Sequence, residues 1–526
     1  MEDKPMSERP DLNELRKNLD EIDNSILDLL EERIATCRQI GIYKRENGMD
    51  VYIPSREEEK FKALEEIAGF ESRPYVRDLF KTLMDISKVH QNKPAFGVLG
   101  RTLAHTYSPE IHSLFDSSYS YSVIEREPEE LDTLFKSGVF KGFNVTIPYK
   151  KNACSMCDEL DEASRTTGSV NTVLFEDGRV KGWNTDYFGF IYMLTRKGIS
   201  VAGKKVLVLG TGGAASAVFY ALKTLNAAAV YPCDLDADIN YSNVYEKAAD
   251  AQVIVNCTPV GMYPKVDNSL LDLTKFASLE ACADVVYNPS RTKFLQEAEA
   301  LGLKTCGGLA MLVAQAYKSS RIFAGDIAGA ELLGNPNSDK GAEYVPAEAV
   351  ELIEKVIKTL ENRMRNITII GMPGSGKSLL ARNIAKVTGR TLVDLDIAFA
   401  EKFGQTPAEV LSGPGEDAFR EMECEIAAEY LPQSGLVISC GGGIVTRDVN
   451  KFYVRCNSNV FYLERPLTAL TDKNRPISQL HGVEKLYELR KDKYESWCDY
   501  RFFYDRFEEK NDFYDKAISD ILGTLK

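Results

Sequence analysis

The residues Gly371-Met-Pro-Gly374-Ser375-Gly376-Lys377-Ser378 follow an apolar run, NITII, and precede a segment with helical spacing. This is the G-x-x-x-x-G-K-S pattern of a phosphate loop. Its glycines let backbone N–H groups face an anion at a helix N-terminus; Lys377 would reach the β- and γ-phosphates of ATP, and Ser378 would ligate Mg2+. Asp394 and Asp396 stand two apart at the end of the next predicted strand, on the same side of it. Asp394 is expected to help hold the metal and Asp396 to receive a hydroxyl, unless Asp396 only caps the helix that follows. A second glycine turn, Gly210-Thr-Gly212-Gly213-Ala214, joins the strand KVLVLG to a helix as in dinucleotide-binding units, and Asp234 ends the next strand. An acid about twenty residues past such glycines bonds the free ribose hydroxyl of NAD.

These candidates are spread over 526 residues, enough for roughly three to four domains. Hydrophobic residues make up 44% and charged residues 27%, the range of packed globular chains. No run approaches the ~18 apolar residues of a membrane span, and the N-terminus is polar and acidic, so a cytoplasmic protein is expected. Eleven cysteines, an odd number, point to reduced thiols; with four histidines and no second Cys-x-x-Cys after Cys154 and Cys157, no structural zinc is expected. The net charge is −14 and no segment is basic, which argues against nucleic acid as a partner. Anionic ligands must then be held by a few local Arg and Lys.

Residues 11 to 40 contain no Gly or Pro, and Leu15, Leu19, Ile22, Ile26, Leu29 and Ile34 recur at helical spacing, predicting one long helix. Two more helices, about 55–68 and 74–91, complete an all-α domain over 8–92. From Ala95, short apolar strands alternate with helices, the signature of α/β architecture with parallel sheets. The expected divisions are 94–361 (a substrate part 94–200, a Rossmann part 201–325 and a closing helix 347–361) and a P-loop domain over 365–526.

Within the last domain, Phe419-Arg420-Glu421-Met422-Glu423, Gly441-Gly442-Gly443 after LVISC, and Asn474-Arg475-Pro476 follow the phosphate loop at intervals that resemble shikimate kinase, from Asn366 to about Asp505. The resemblance implies that Asp396 binds the ring hydroxyls and is the candidate base. Arg420 and Arg490 would grip the carboxylate, Gly441, Gly442 and Gly443 line the pocket, and Arg475 closes over the transferring phosphate from a lid. Between Leu463 and Arg475 the chain is shorter than is usual in the family, and the arginine often stacked on adenine is not evident.

The middle domain carries Asn144-Val-Thr146-Ile-Pro-Tyr-Lys150, Gly168-Ser-Val-Asn171-Thr172, Gly182-Trp-Asn-Thr-Asp186, Asn256-Cys-Thr-Pro-Val-Gly-Met262 and Gly307-Gly-Leu-Ala-Met-Leu-Val-Ala-Gln315. Together with the glycine turn these resemble shikimate dehydrogenase across Phe96 to about Glu361. Ketone reduction needs a proton donor to the developing alkoxide, and Lys150 beside Asp186 is the implied catalytic pair. Thr106 and Ser108 would bind the substrate carboxylate, with Thr146, Asn171, Tyr287 and Gln315 completing the pocket. Thr106 stands where Ser is usual, which opens quinate as well as shikimate. The family implies NADP, but its Asn-Arg-Thr for the 2′-phosphate is missing and Asp234 leans to NAD.

Residues 10 to 92 resemble the all-helical chorismate mutases through Leu15-Arg16, Asp20-Glu-Ile-Asp23, Glu32-Arg33, Lys44, Ser55-Arg56-Glu57 and Ser87-x-x-x-Gln91. In that reading Arg16 and Arg33 bind carboxylates, Lys44 and Gln91 address the ether oxygen, and Arg56, Glu57 and Ser87 contact the hydroxyl side or position their neighbours. Arg33 and Lys44 lie three helical turns apart on one face, so their side chains can converge. Arg16 lies about 25 Å from Arg33 along the axis, and so is expected to serve the site of a second chain in a homodimer. The whole then reads as a multifunctional enzyme of aromatic biosynthesis acting on 3-dehydroshikimate, shikimate and chorismate. The alternative makes the helical domain a non-catalytic dimerisation or chorismate/prephenate-sensing module.

Overall fold

The computed structural model describes residues 11–47, 49, 54–103, 106–116, 118–470, 482–504 and 510–525. They fall into two compact units, Met1–Asn184 with Ser319–Ile327, and Thr185–Lys318 with Ala328–Lys526.

Unit one opens with three helices, α1 (Leu12–Glu46), α2 (Pro54–Ile67) and α3 (Arg73–Asn92). Asp11 starts α1 by accepting from the backbone N–H groups of Asn13 and Glu14 at 2.7 and 2.8 Å, an N-cap that satisfies two of its free donors. The helix carries Arg33 and Lys44 together, as their spacing predicts, and it continues through Gly41. A Cβ there would sit 2.6 Å from the Gln91 carbonyl oxygen, so glycine lets α1 lie against α3. Along α1 a stripe of large apolar side chains stays open: Leu12, Leu15, Leu19, Ile22, Ile26 and Leu29 are 61%, 50%, 56%, 55%, 58% and 65% exposed.

A six-stranded sheet follows, from β1 (Ala95–Gly100), β2 (Ser120–Glu125), β3 (Gly142–Val145), β4 (Glu159–Leu160), β5 (Thr172–Glu176) and β6 (Arg179–Trp183), in the order β2-β1-β3-β5-β6-β4. It is mixed rather than parallel, since β5 runs antiparallel to both β3 and β6. The cause is the two-residue turn Asp177-Gly178, both at positive φ (51° and 73°), whose twist suits an antiparallel hairpin.

Unit two holds two all-parallel sheets. The first comprises β7 (Lys205–Leu209), β8 (Ala229–Cys233), β9 (Val253–Asn256), β10 (Ala281–Asp284) and β11 (Lys304–Cys306), ordered β11-β10-β9-β7-β8. The second comprises β12 (Asn366–Ile370), β13 (Leu392–Asp394), β14 (Val437–Ser439), β15 (Ser458–Glu464) and β16 (Tyr500–Phe503), ordered β13-β14-β12-β15-β16, so β12, which leads into the phosphate loop, is central. Helix Ala347–Met364 precedes β12 and is tied to helix Asp186–Arg196 by the Arg196–Glu354 ion pair at 2.8 Å.

At the end of β10 the fully buried Asp284 accepts from Asn256 (3.0 Å), the Val286 N–H (3.0 Å) and Thr292 (2.7 Å). Burial pushes its carboxyl up to about 7 against these donors. With an unfolded value near 4, the folded state holds the proton more tightly. Stability is therefore fully present below about pH 4 and is lost as pH rises through 7, by on the order of 4 kcal/mol. Chemical denaturation of Asp284→Asn from pH 5 to 8 should lack this slope; an unchanged slope assigns it elsewhere.

Candidate active sites

The phosphate loop is built as its motif requires. Gly371, Gly374 and Gly376 have φ of 149°, 85° and 98°, and a Cβ on Gly371 would lie 2.5 Å from the Leu463 carbonyl oxygen. Lys377 opens helix Lys377–Thr388 and is buried, its ammonium donating to the Met372 carbonyl at 2.9 Å. The Ser378 hydroxyl lies 3.2 Å from that of Ser439, and the buried Ser375 hydroxyl has no hydrogen-bond partner among the described residues.

Beside the loop the glycine triplet brings the other candidates together. A Cβ on Gly441 would lie 3.0 Å from Asp396 Oδ1 and 3.1 Å from Glu423 Oε1, one on Gly442 2.6 Å from the ring of Pro373, and one on Gly443 2.0 Å from Arg420 Nη1. Each glycine thus makes room for a neighbour that a side chain would displace. Arg490 donates to the Gly442 carbonyl at 3.0 Å, and the Tyr494 hydroxyl donates to the same oxygen. Arg420 is buried between Glu423 (2.8 Å) and Glu416 (3.0 Å). Burial opposes its charge, but the two carboxylates outweigh burial and raise it. Burial likewise raises the Glu423 carboxyl, with Arg420 opposing and Asp396 adding to the rise.

Two expectations change here. The strand stops at Asp394 and a helix, Leu395–Phe403, begins at once, so Asp396 lies in a first helical turn rather than on a strand. The cap is Asp394, which accepts from the Asp396 N–H at 3.1 Å. Glu423 and Tyr494 were missed, although Arg420 and Glu423 stand at i,i+3 in the quoted run. Arg475 lies outside the described residues.

In unit one the Thr106 hydroxyl donates to that of Ser108 at 3.2 Å, at the start of helix Ser108–Phe115. The Thr146 N–H is held on the Leu99 carbonyl at 2.9 Å, Val170 N–H on the carbonyl of Lys150 at 3.0 Å, and Val145 N–H on that of Asn171 at 2.8 Å. These bonds stitch the segments carrying Thr146, Lys150 and Asn171 to one another. Behind them is a buried network missed in the sequence. Asn144 donates to the Asn171 carbonyl (3.2 Å), to Thr172 (3.0 Å) and to Ser319 (2.9 Å), while accepting from the Tyr121 hydroxyl at 2.6 Å. His112 stacks on Tyr121 at 4.0 Å and is kept neutral, since burial lowers it to about 3. Asn144, Asn171 and Thr172 stand in the motifs above, but nothing in their spacing joins them to Tyr121, His112 or Ser319.

In unit two Asp186 opens helix Asp186–Arg196 and is 8% exposed. Its neighbour Thr185 donates to Gln315 Oε1 at 3.2 Å, and at Gly189 a Cβ would lie 2.4 Å from the Met311 carbonyl oxygen. That close approach places the Gln315 helix against the Asp186 helix. Gly210 has φ 91°, and the helix after the turn begins at Gly213, with Ala214 next; Cβ atoms on Gly212 and Gly213 would meet nothing. Asp234 accepts from the Thr211 hydroxyl (2.6 Å) and N–H (2.8 Å), and these bonds, with the Leu235 N–H, hold its carboxyl below the usual range. Tyr287 is half-buried in the loop after β10.

In the helical part Arg33 donates to the Leu83 carbonyl (2.7 Å) and to Ser87 (2.6 Å), joining α1 to α3 at two candidate residues. Gln91 Oε1 is buried without a hydrogen-bond partner among the described residues, and Lys44 is half-buried. Glu57 pairs with Lys88 at 3.0 Å across α2 and α3. Arg56 and Arg16 are exposed, and Arg16 is not brought to the other candidates. Lys88 and Arg45, the latter donating to the Gln91 carbonyl at 2.7 Å, were missed; Arg45 is lowered by burial.

A helical bundle, a glycine-turn α/β domain and a phosphate-loop α/β domain in one chain define a multifunctional enzyme. Family models match in the same order: chorismate mutase type II over residues 15–92, the shikimate dehydrogenase substrate binding domain over 98–173, and shikimate kinase over 373–524. A shikimate dehydrogenase (NADP(+)) of Clostridium beijerinckii is 34% identical over 246 residues, 43% of this chain and 91% of that protein. One of Clostridium perfringens is 35% identical over 250 residues, 44% of this chain and 92% of that protein. Among solved structures, a chorismate mutase/shikimate 5-dehydrogenase fusion protein from Clostridium acetobutylicum matches at 32% identity, covering 51% of this chain and 97% of that one, with a TM-score of 0.45. The chain belongs to the shikimate dehydrogenase family, and it carries chorismate mutase and shikimate kinase domains on either side, a shikimate-pathway enzyme of several activities. No helix among the described residues is long and apolar enough to cross a membrane.

Proposed function

We propose that the chain reduces 3-dehydroshikimate to shikimate, phosphorylates shikimate from ATP, and rearranges chorismate to prephenate, in the cytoplasm. The domain divisions are those expected above, 8–92, 94–361 and 365–526. The observation that carries the proposal is the glycine floor Gly441–Gly443, against which Asp396, Arg420 and the phosphate loop all lie. In the kinase, Arg420 and Arg490 hold the shikimate carboxylate, and Asp396 takes the proton of the attacking hydroxyl. Lys377 holds the phosphoryl oxygens. The oxygens of Ser378 and Asp394 suit Mg2+, which when bound would neutralise phosphate charge. Assaying the three substrates separately on the full chain tests the proposal: all three should turn over, and chorismate bound without turnover would reduce the helical domain to a sensor.

In the dehydrogenase, Thr106 and Ser108 bind the substrate carboxylate, and Thr146, Asn171, Tyr287 and Gln315 orient the ring. Lys150 gives its proton to the developing alkoxide, and Asp186 is the second catalytic group; the nicotinamide would supply the hydride when bound. An ionised Asp234 bonds a free ribose diol and repels a 2′-phosphate. NADH should therefore serve at least as well as NADPH by kcat/KM, although the relatives named above are NADP(+) enzymes. A hundredfold preference for NADPH would overturn this assignment.

In the mutase, Arg33 and the partner's Arg16 bind the chorismate carboxylates, Lys44 and Gln91 address the ether oxygen, and Arg56, Glu57 and Ser87 frame the hydroxyl side. The exposed stripe on α1 is the surface of a homodimer, since each large side chain it would bury contributes about 1.5–3 kcal/mol. Arg16→Ala and Arg33→Ala should each lower chorismate turnover about ten- to hundredfold, the loss of a charged hydrogen bond. After random re-pairing of the two variants half the dimers are mixed, and each of these has one intact site, so up to about a quarter of the activity should return. No return despite demonstrated subunit exchange would exclude shared sites.

A further inference from the structure

A cavity of about 370 Å³ in unit two is lined by residues 287 and 290–291, by residues 305–310, and by the ends of helices Asp186–Arg196 and Ala347–Met364. Four cations line it, Arg196, Lys197, Arg291 and Arg365, against two acids, Glu299 and Glu361. Of the residues assigned to the three reactions it contains only Tyr287.

Ion pairs account for part of this charge. Arg196 is held by Glu354, and Arg291 Nη2 reaches Asp499 at 2.9 Å. Glu299 lies 3.7 Å from Arg455, outside the lining, while Glu361 stands 3.9 Å from Arg365. What remains unmet are donors: Arg291 Nη1 and Arg365 Nε are buried without any hydrogen-bond partner among the described residues. An unmet buried donor costs about 1–3 kcal/mol, and more on a charged group. Burial also lowers Arg365, and the like charge of Arg291 adds to this against Glu361. Two guanidinium groups that repel each other, each with one buried donor unmet, are relieved by an oxyanion. A carboxylate offers two oxygens, whereas a phosphoryl group offers three and can serve three cations at once. The cavity is far larger than a bare phosphate and falls in the ~300–1,000 Å³ range of small-molecule sites, leaving room for an organic remainder.

We propose that this cavity binds a small phosphate ester, its phosphoryl group held by Arg291, Arg365 and Lys197. The site joins two catalytic parts. Ser290 N–H donates to Asn457 Oδ1 (3.1 Å) and Arg291 N–H to the Cys456 carbonyl (2.8 Å), both just before β15, while Arg365 directly precedes β12. A bound ester therefore bridges the loop that carries Tyr287 and the strand that leads into the phosphate loop.

The test is isothermal titration of the full chain with ribose 5-phosphate and, separately, inorganic phosphate. A non-hydrolysable ATP analogue with Mg2+ and both NAD+ and NADP+ are kept saturating to fill the other phosphate sites. One equivalent of ribose 5-phosphate should bind, with affinity lowered at least tenfold in Arg365→Gln and in Lys197→Ala but unchanged in Lys377→Ala. Neither cavity variant removes a residue assigned to catalysis, so retained kinase activity shows that each is folded. Tighter binding of the ester than of inorganic phosphate supports the organic remainder, and equal or weaker binding overturns it. Absence of binding to the native chain, equal affinity in both cavity variants, or loss in Lys377→Ala would overturn the site.

Discussion

Replacing Lys377 by Ala is expected to lower phosphoryl transfer to shikimate by about a thousandfold or more, while reduction of 3-dehydroshikimate by the same chain continues. The ammonium lies inside the phosphate loop on the Met372 carbonyl, and it is the loop's own positive charge at the position where β- and γ-phosphates would lie. Charge builds on the phosphoryl oxygens as transfer proceeds, and a fixed cation in a water-poor site stabilises that charge far more than it does the ground state. The substitution leaves the frame standing. Alanine is a good helix former at the first position of helix Lys377–Thr388, and the positive-φ glycines that shape the loop are untouched. Steady-state rates with shikimate and ATP check the expectation, with ketone reduction as internal control. A kinase rate within tenfold of the native chain would remove the loop from the mechanism.

That loop was legible because every element it needs is local: an apolar strand, glycines at fixed offsets, and a helix. The same is true of α1, whose spacing is visible from Leu15 to Ile34. Where contacts are long-range, the sequence was silent. Glu423 was in view, but its burial beside Arg420 depends on Gly441 and Gly443, some twenty residues on, having no side chains. Asp396 was placed on a strand because alternation cannot show where a three-residue strand yields to a helix; the capping bond from Asp394 decides that. The mixed sheet of unit one had a local signal, Asp177-Gly178, which the alternation of strands and helices masked. Arg291 in the 287–291 loop and Arg365 come from distant segments, so no spacing rule could have joined them.

Lys150→Ala should lower kcat for ketone reduction by about a hundred- to ten-thousandfold, the usual contribution of a positioned general acid. Hydride arrival at a carbonyl carbon leaves an alkoxide, and without a proton delivered as it forms the oxygen must carry the full charge. The position itself tolerates the change. Lys150 is tied to the domain through its backbone, whose carbonyl accepts from the Val170 N–H at 3.0 Å, and that bond does not depend on the side chain. Thr106 and Ser108, which would hold the carboxylate, also remain, so KM for 3-dehydroshikimate should move far less than kcat. Phosphorylation of shikimate should stay near the native rate, because Lys377, Asp396, Arg420 and Arg490 belong to unit two and Lys150 to unit one. Equal losses in both activities would mean that the substitution acts through folding, and a rise in KM with kcat intact would make Lys150 a binding group rather than the proton donor.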